Sequence, residues 1–323
     1  MKIFMVTPAP PGSLKGNRVT ALRWAHILRG LGHQVLLKEE YHRGTCDLLI
    51  ALHARRSYES IKRFRERLPG RPLIVVLTGT DLYRDLETAP EARQSLEWAD
   101  RIVALHPAAG DSLPPHLRDR LRVIVQSAPA PRRRVAPRED LFEVCVIGHL
   151  RPVKDPFRAA LAARLLPESS RIRIIHLGDA LSPGMERQAR SEMMENPRYR
   201  WLGPLSRREC LARLSGSRIL VLSSEMEGGA NVISEALAAS IPILSSRIPG
   251  STGLLGDDYP GLFPVGDTEA LASLLHRAET DRAFYTDLQA RCRRLAALVD
   301  PCREREAWRD LTGEIEAIIS SHC

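Results

Sequence analysis

The sequence lacks the features that mark membrane-spanning and exported proteins. None of its apolar runs reaches the ~18 residues that a transmembrane helix needs. The apolar stretch that begins at Met1 is too short for a signal peptide, and no small-residue cleavage site follows it. We therefore expect a cytoplasmic protein without stable membrane association.

Cysteine is sparse and scattered. The six cysteines include no Cys-x-x-Cys pair, which argues against a structural zinc site and against a disulfide scaffold. Cys46 and Cys145 lie in or beside apolar strand-like runs, where a buried, unreactive thiol is the common case. We therefore predict no metal site.

Two familiar nucleotide-binding signatures are also missing. The loop after the first predicted strand, residues 10–20, lacks the Gly-Lys-Ser/Thr ending of an ATP-binding P-loop and the Gly-x-Gly-x-x-Gly of a dinucleotide site. It is rich in turn formers and leads into a helix, so it can still present backbone N–H groups to an anion, together with Asn17, Arg18 and Thr20. A plain connecting loop fits the same spacing.

The formal net charge of +8 allows two kinds of partner, a nucleic acid or an anionic small molecule. Most basic residues are arginines spread along predicted helices, and no nucleic-acid-binding signature is present. The one cluster, residues 132–134, lies in a proline-rich stretch that is typical of a linker. We predict small-molecule substrates, no nucleic-acid partner and no cofactor. The sequence gives no indication of the oligomeric state.

Short apolar, β-branched runs alternate with helical stretches along the chain, which is typical of parallel sheets with crossover helices. A chain of 323 residues exceeds the usual size of a single core, so we predict two α/β domains, each with a doubly wound parallel sheet. The predicted strands are residues 2–7, 34–38, 47–52, 73–77, 101–105 and 122–125, then 142–147, 171–177, 200–202, 218–222 and 242–245.

The predicted domain boundaries follow the composition. Residues 1–128 form the first domain, and residues 129–140 form a linker because a segment rich in proline and arginine cannot join a sheet interior. Residues 141–300 form the second domain. Helices are predicted from Asp267 onward, and we expect the last one, residues 301–323, to pack back on the first domain.

Two glutamates, Glu227 and Glu235, flank a glycine pair at the start of a predicted helix. The first N–H groups of a helix lack partners within it and carry the positive end of its dipole, so they bind phosphate, and glycines let the backbone come close. Glu235 lies about one turn into the helix, so a diphosphate fits between the carboxylates. Glu227 would then accept hydrogen bonds from a sugar, and Glu235 from a ribose. The alternative is two solvated charges beside an ordinary loop.

Two basic residues, Arg151 and Lys154, follow the first strand of the second domain. They lie in the loop that follows the carboxyl end of this strand, and open α/β sheets bind their ligands at such ends. The two cations can hold a phosphate there and stabilise the charge that grows on a departing diphosphate. The competing interpretation is a pair of exposed basic residues in a loop.

Polar side chains also follow two strands of the first domain: His53, Arg55 and Arg56 after one, and Thr78, Gly79 and Thr80 after the other. His53 can act as an acid or base near neutral pH, although histidines at strand ends are often structural. Together with Arg18, the two arginines favour an anionic acceptor.

These motifs resemble the GT-B glycosyltransferases of family 4 over nearly the whole chain. The resemblance implies two Rossmann-like domains facing a cleft, with the nucleotide sugar on the C-terminal domain and the acceptor on the N-terminal one. It implies that Glu227 contacts the donor sugar, that Glu235 contacts the ribose, and that Arg151, Lys154 and Glu227 are catalytic. The remaining donor contacts would come from Gly148, Gly228, Gly229, Ala230, Asn231 and Val232. The family works without a bound metal, in keeping with the absence of an Asp-x-Asp motif.

A narrower resemblance is to the selenosugar synthases of bacterial selenoneine biosynthesis, carried by residues 16–24, 51–57, 77–83 and 227–236. It implies transfer of N-acetylglucosamine from UDP-N-acetylglucosamine to selenophosphate, giving 1-seleno-N-acetylglucosamine, UDP and phosphate. In keeping with it, Gly229-Ala230-Asn231 stands where many members of the wider family have Phe-Gly and an aliphatic residue. The acceptor would lie among Gly16, Asn17, Arg18, Thr20, His53, Arg55, Arg56, Thr78, Gly79 and Thr80.

Two other functions fit the same motifs. One is a family 4 transferase that acts on an ordinary hydroxyl or thiol acceptor. The other, from a different class, is a non-catalytic sensor that binds a nucleotide sugar.

Overall fold

The computed structural model describes residues 1–13, 16–131 and 135–321. Leu14 and Lys15 of the first loop and the arginines at 132–134 of the predicted linker lie outside these ranges. Contacts between Cα atoms divide the chain into two compact units. Unit 1 comprises Met1–Gln126, Glu227–Ala230 and Pro301–Cys323, and unit 2 comprises Ser127–Met226 and Asn231–Asp300.

Unit 1 contains a six-stranded parallel sheet. Its strands are β1 (Lys2–Val6), β2 (Gln34–Lys38), β3 (Leu48–Leu52), β4 (Leu73–Val76), β5 (Arg101–Ala104) and β6 (Leu121–Val123). Their order across the sheet is β2-β1-β3-β4-β5-β6, so the direction of winding reverses between β1 and β3. The inner strands β3 and β4 are buried throughout because both faces of the sheet are covered, whereas β2 at the edge alternates between exposed and half-buried residues.

The α-helices described between these strands are α1 (Gly16–Gly30), α2 (Tyr58–Arg67), the short α3 (Leu86–Thr88) and α4 (Pro90–Glu97). Between β5 and β6 the chain forms two 3₁₀ helices, Pro107–Ser112 and Pro115–Arg120. Alternate residues of the central strands face opposite sides of the sheet, which gives unit 1 two cores. Phe4 and Val6 pack in the same cluster as Ile61 and Phe64 of α2. Ile3 and Met5 pack in the other cluster, with residues of α1.

Unit 2 contains a second six-stranded parallel sheet. Its strands are β7 (Phe142–Ile147), β8 (Ile172–Leu177), β9 (Tyr199–Trp201), β10 (Ile219–Leu222), β11 (Ile243–Ser246) and β12 (Leu262–Phe263). Their order is β12-β11-β10-β7-β8-β9, so the winding reverses between β7 and β10. The helices of this unit are α5 (Arg158–Arg164), α6 (Pro183–Glu195), α7 (Arg207–Gly216), α8 (Asn231–Ala239), α9 (Pro249–Leu255), α10 (Thr268–Thr280) and α11 (Arg282–Leu295).

The C-terminal helix α12 (Pro301–Ser321) belongs to unit 1 and packs against α1, as predicted. The rings of Trp24 and Trp308 meet edge to face with their centroids 4.9 Å apart. The buried carboxylate of Glu304 accepts a hydrogen bond from Trp24 Nε1 at 2.6 Å and pairs with Arg23 Nε at 3.2 Å. Apolar packing and one buried ion pair therefore anchor this helix to the first sheet.

The eleven predicted strands are all present; those at 34–38 and 142–147 have the predicted ends, and the ends of the others shift by at most two residues. The strand predicted at 122–125 is Leu121–Val123, and the one predicted at 200–202 is Tyr199–Trp201, because the length of pairing with β5 and β8 sets where each strand begins and ends. Strand β12 is not among the predicted strands, because two residues are too few to show a periodic pattern. Its residues pair with Ser245 and Ser246 of β11.

We predict that Glu304→Ala lowers the free energy of unfolding by about 3 kcal/mol, because it leaves Arg23 and the Trp24 indole N–H without a buried carboxylate. Urea unfolding of the variant and the wild type measures the difference. Glu306→Ala is the matched control, since Glu306 is an exposed residue of the same helix. Equal effects of the two substitutions would contradict the anchoring role of Glu304.

Candidate active site

The donor residues predicted in unit 2 lie where the winding of its sheet reverses. Gly148 to Asp155 follow β7, and Ser223 and Ser224 follow the neighbouring strand β10. Open α/β sheets bind ligands at the carboxyl ends of strands that flank such a reversal. The two loops are bonded to each other, because Ser223 Oγ donates to the carbonyl oxygen of Asp155 at 2.8 Å and Glu225 N donates to that of Val153 at 2.9 Å.

Arg151 and Lys154 are both half-buried in the loop after β7. Pro152–Lys154 forms one turn of 3₁₀ helix, and Asp155 ends it in the left-handed region with φ 41°. The Asp155 carboxylate accepts a hydrogen bond from Arg158 Nε at 2.7 Å, which fixes the end of the turn to α5. The loop that carries both cations is therefore held by bonds on each side.

His176 holds the first residue of this loop in place. The histidine is buried in β8, and its Nε2 lies 3.1 Å from the carbonyl oxygen of Gly148, which can only accept. The ring proton is therefore on Nε2, and Nδ1 accepts from the hydroxyl of Tyr199 at 3.0 Å. Burial lowers the pKa of His176 to about 4, so the ring is neutral at pH 7.

Helix α8 begins at Asn231, two residues after Gly229, and Val232 is buried in its first turn. Glu235 lies one turn further along, where its side chain is only 12% exposed. Its Oε1 lies 3.0 Å from Nη2 of Arg207, the first residue of α7. No sequence pattern indicates this ion pair, because the two residues are far apart along the chain.

The segment Glu227–Ala230 belongs to unit 1, where its backbone lies against the loop after β4. A Cβ atom placed on Gly228 would lie 2.4 Å from the backbone nitrogen of Gly79, and one placed on Gly79 would lie 2.7 Å from the nitrogen of Gly228. Gly229 has φ 144°, and a Cβ atom placed on it would lie 2.5 Å from Cβ of Leu105. Only glycine fits these positions, so the glycines of both motifs are needed for one contact.

Asp81 organises the loops that follow β3 and β4 in unit 1. Its carboxylate is fully buried and accepts backbone N–H bonds from Thr78 at 2.8 Å, Gly79 at 2.9 Å and Ala54 at 3.0 Å. A carboxylate with three amide donors fixes the backbone around it. The sequence shows Asp81 beside the predicted Thr78–Thr80 group, but its role as the central acceptor emerges only from the fold.

His53 is part of the same network. It is buried with φ 73°, and its Nδ1 accepts from Arg56 N at 3.3 Å, which leaves Nε2 to donate to Thr80 Oγ1 at 3.1 Å. Burial lowers the pKa of His53, against the opposing effect of Asp81 at 3.9 Å. The imidazole is neutral and fully engaged at pH 7, so the geometry favours the structural interpretation over acid–base catalysis.

The other predicted acceptor residues are brought together in part. Asn17 Nδ2 lies 3.4 Å from Thr78 Oγ1, which joins the start of α1 to the loop after β4. Thr20 accepts from Gln126 at 2.6 Å, and Gly16 is exposed at the start of α1. Within the described part of the chain, Nε of Arg18 is buried without a hydrogen-bond partner.

The two arginines after β3 do not join this group. Arg55 Nη1 lies 3.4 Å from the buried carboxylate of Asp85, in the π-helical turn Asp81–Asp85. Arg56 is exposed, and its backbone N–H bonds to His53. These two side chains lie at the rim of the buried network rather than inside it.

Residues 1–13, 16–131 and 135–321 contain no cluster of three or more His, Cys, Asp or Glu side chains arranged to hold a metal ion. They also contain no helix with the length and apolar character needed to cross a bilayer. Cys46 and Cys145 are buried as expected, and burial raises the pKa of both thiols, that of Cys46 to about 11.

Comparison with known families identifies the class of protein. The sequence model of the family Glycosyl transferases group 1 matches residues 129–297, just over half of the chain. The chain therefore belongs to the group 1 glycosyltransferases. A curated relative is the Glycosyltransferase 1 domain-containing protein 1 of Xenopus tropicalis, 23% identical over 273 residues that cover 76% of this chain and 79% of that protein.

Solved structures share the fold over almost the whole chain. HepE of Anabaena in complex with UDP is 15% identical, with a TM-score of 0.76 and coverage of 97% of this chain and 100% of HepE. Sucrose-phosphate synthase of Thermosynechococcus elongatus is 14% identical, with a TM-score of 0.77 and coverage of 98% and 99%. With its two six-stranded parallel sheets, the protein has the GT-B fold that the sequence predicts.

We predict that Gly228→Ala separates the two glycine-bearing loops of unit 1, because its Cβ would lie 2.4 Å from Gly79 N. Amide hydrogen exchange measured by mass spectrometry should become faster in residues 78–80 and 227–230. Gly70→Ala is the control, since a Cβ there meets no atom within 4 Å. Exchange in Gly228→Ala that equals that of the control would show that the loops tolerate a side chain.

We predict that the free energy of unfolding decreases as the pH is lowered below about 6.5, because of His176. Its pKa is about 4 in the fold and 6.5 in the unfolded chain, so the unfolded state binds the proton first as pH falls below 6.5. Between pH 7 and pH 5 this one group should remove about 2 kcal/mol from the free energy of unfolding. Urea unfolding at the two pH values should show a smaller decrease in His176→Gln than in the wild type. The same decrease in both proteins would show that protonation of His176 does not cause the loss of stability.

Proposed function

We propose that this glycosyltransferase transfers N-acetylglucosamine from UDP-N-acetylglucosamine to selenophosphate. The observation that supports a nucleotide-sugar donor lies where the winding of the sheet of unit 2 reverses. There, the loop that carries Arg151 and Lys154 is bonded to the residues that follow β10, the strand that leads to the glycine pair and α8. HepE binds UDP, and a related solved structure of HepE contains UDP-glucose. A uridine diphosphate sugar is therefore the donor class that we propose here.

The proposed donor contacts follow the chemistry of each group. The first N–H groups of α8, near Gly229, Ala230 and Asn231, face the diphosphate, together with Arg151 and Lys154. These two cations assist catalysis by stabilising the negative charge on the departing UDP. Glu227 accepts hydrogen bonds from the donor sugar, and Glu235 accepts them from the ribose.

The proposed acceptor contacts lie in unit 1, around the network centred on Asp81. Thr78 and Thr80 present hydroxyl groups beside the carboxylate of Asp81, which holds the backbone of Thr78 and Gly79. Asn17 presents an amide at the start of α1, and the guanidinium of Arg18 supplies positive charge. His53 is neutral and donates to Thr80, so this network offers no protonated imidazole. A strong nucleophile such as selenophosphate needs positioning more than it needs a general base.

The reaction has two balanced steps. The selenium atom of selenophosphate attacks the anomeric carbon of the sugar, and the bond from that carbon to the UDP oxygen breaks with its electron pair leaving on UDP. The product carries selenium between sugar and phosphate. Water then cleaves the selenium–phosphorus bond, which releases phosphate and the 1-seleno sugar.

Release of UDP from purified protein tests the proposal. With UDP-N-acetylglucosamine, selenophosphate should give UDP and a selenium-containing sugar detectable by mass spectrometry. UDP release with thiophosphate or a hydroxyl acceptor, and none with selenophosphate, would favour a different acceptor. Tight UDP binding without release in any mixture would favour a sensor of nucleotide sugars.

We expect Glu227→Ala to lower kcat/KM by about a hundredfold or more, since it removes a contact made to the reacting sugar. Glu225→Ala is the matched control, because Glu225 is an exposed carboxylate in the same loop. The same assay, with circular dichroism to verify folding, compares the two variants. Wild-type turnover in Glu227→Ala would remove this residue from the proposed catalytic group.

A further inference from the structure

The ion pair between Arg207 and Glu235 joins two helices of unit 2 at a residue of the proposed donor site. The distance from Arg207 Nη2 to Glu235 Oε1 is 3.0 Å, and the side chains are 43% and 12% exposed. An arginine side chain that is this accessible adds little stability through an ion pair. The pair therefore needs an explanation other than holding α7 to α8.

Arg207 stands at a position that is unfavourable for the helix it begins. It is the first residue of α7, where the positive end of the helix dipole disfavours a cation. The backbone there is fixed by a capping box, in which Ser206 Oγ accepts from Glu209 N at 3.3 Å and Glu209 Oε2 accepts from Ser206 N at 2.9 Å. The arginine is thus held firmly in a place that helix stability does not favour.

The other end of the pair is equally constrained. Glu235 lies on α8 between the buried residues Ser234 and Ala236, so its carboxylate can move only by rotating its own side chain. Its charge also reaches Cys210, one turn into α7, where burial first and Glu235 second raise the pKa of the thiol. Both observations place the carboxylate against the start of α7.

We infer that Arg207 is a positioning residue, which orients the Glu235 carboxylate towards the ribose hydroxyls of the donor. This inference rests on the proposed function, in which Glu235 binds that ribose. A carboxylate has about four acceptor sites, so a contact with Arg207 is compatible with hydrogen bonds accepted from ribose hydroxyls. Fixing the side chain in advance removes the entropy cost of ordering it when the donor binds.

The test compares the binding of UDP and 2′-deoxy-UDP by calorimetry. The wild type should bind UDP about tenfold more tightly or better, because a hydrogen bond to a charged carboxylate is lost without the 2′-hydroxyl. In Arg207→Ala that ratio should fall below about threefold, through weaker UDP binding and little change for 2′-deoxy-UDP. At saturating donor, kcat should stay near its wild-type value, since the reacting carbon is untouched.

Arg208→Ala is the matched control. Arg208 is the next residue of α7, exposed and equally close to the positive end of the dipole, so its removal should leave the UDP to 2′-deoxy-UDP ratio unchanged. Arg207→Lys should restore part of the ratio. The double variant Arg207→Ala with Glu235→Gln should bind UDP no more weakly than Glu235→Gln alone.

Different failures have different meanings. If the wild type binds no UDP, the proposed donor is wrong and the role of Arg207 is wrong with it. If the wild type discriminates and Arg207→Ala keeps the full ratio, only the positioning role is overturned. Tighter UDP binding by Arg207→Ala would also overturn it, because Arg207 would then compete with the ribose.

Discussion

Burial of parallel strands on both faces is the constraint on which the rest of this structure depends. Every residue of β3, β4, β10 and β11 is buried, so these strands have no room for exposed polar chemistry. In a parallel sheet all strands end at one edge, and the polar side chains gather in the loops there. Both units follow this rule, which explains why the proposed site residues come almost entirely from strand ends and helix starts.

Fixed backbone is the second feature that the two units share. In unit 1, a single carboxylate, that of Asp81, accepts three amide N–H bonds and holds two loops together. In unit 2, the neutral ring of His176 bonds the carbonyl oxygen of Gly148. Buried groups such as these have no water to compete for their bonds, so they define loop geometry more sharply than exposed residues can. Preorganised loops suit a transferase, since catalysis depends on charges placed before the reaction starts.

The sequence was informative wherever a local pattern was strong. Alternating apolar runs and helices predicted eleven of the twelve strands in the part of the chain that the structure describes, and the last helix, expected at residues 301–323, packs on unit 1. The Gly228-Gly229 pair predicted a loop before a helix. Strand β12 was not predicted because two residues are too few to show a periodic pattern. The role of Asp81 as a central acceptor was not predicted because its hydrogen-bond donors lie on two different loops.

Local interactions fix what a residue and its near neighbours can form, and these sufficed for the fold class, the order of the elements and the glycine-rich helix start. Tertiary structure decided which side chains meet. It placed Arg207 beside Glu235 and the backbone of Gly79 against that of Gly228. It also buried His53, a candidate acid or base, as a neutral ring that donates a hydrogen bond to Thr80. The physical reason is that these contacts join residues 27 to 149 positions apart, and only the packing of complete sheets and helices brings such residues together.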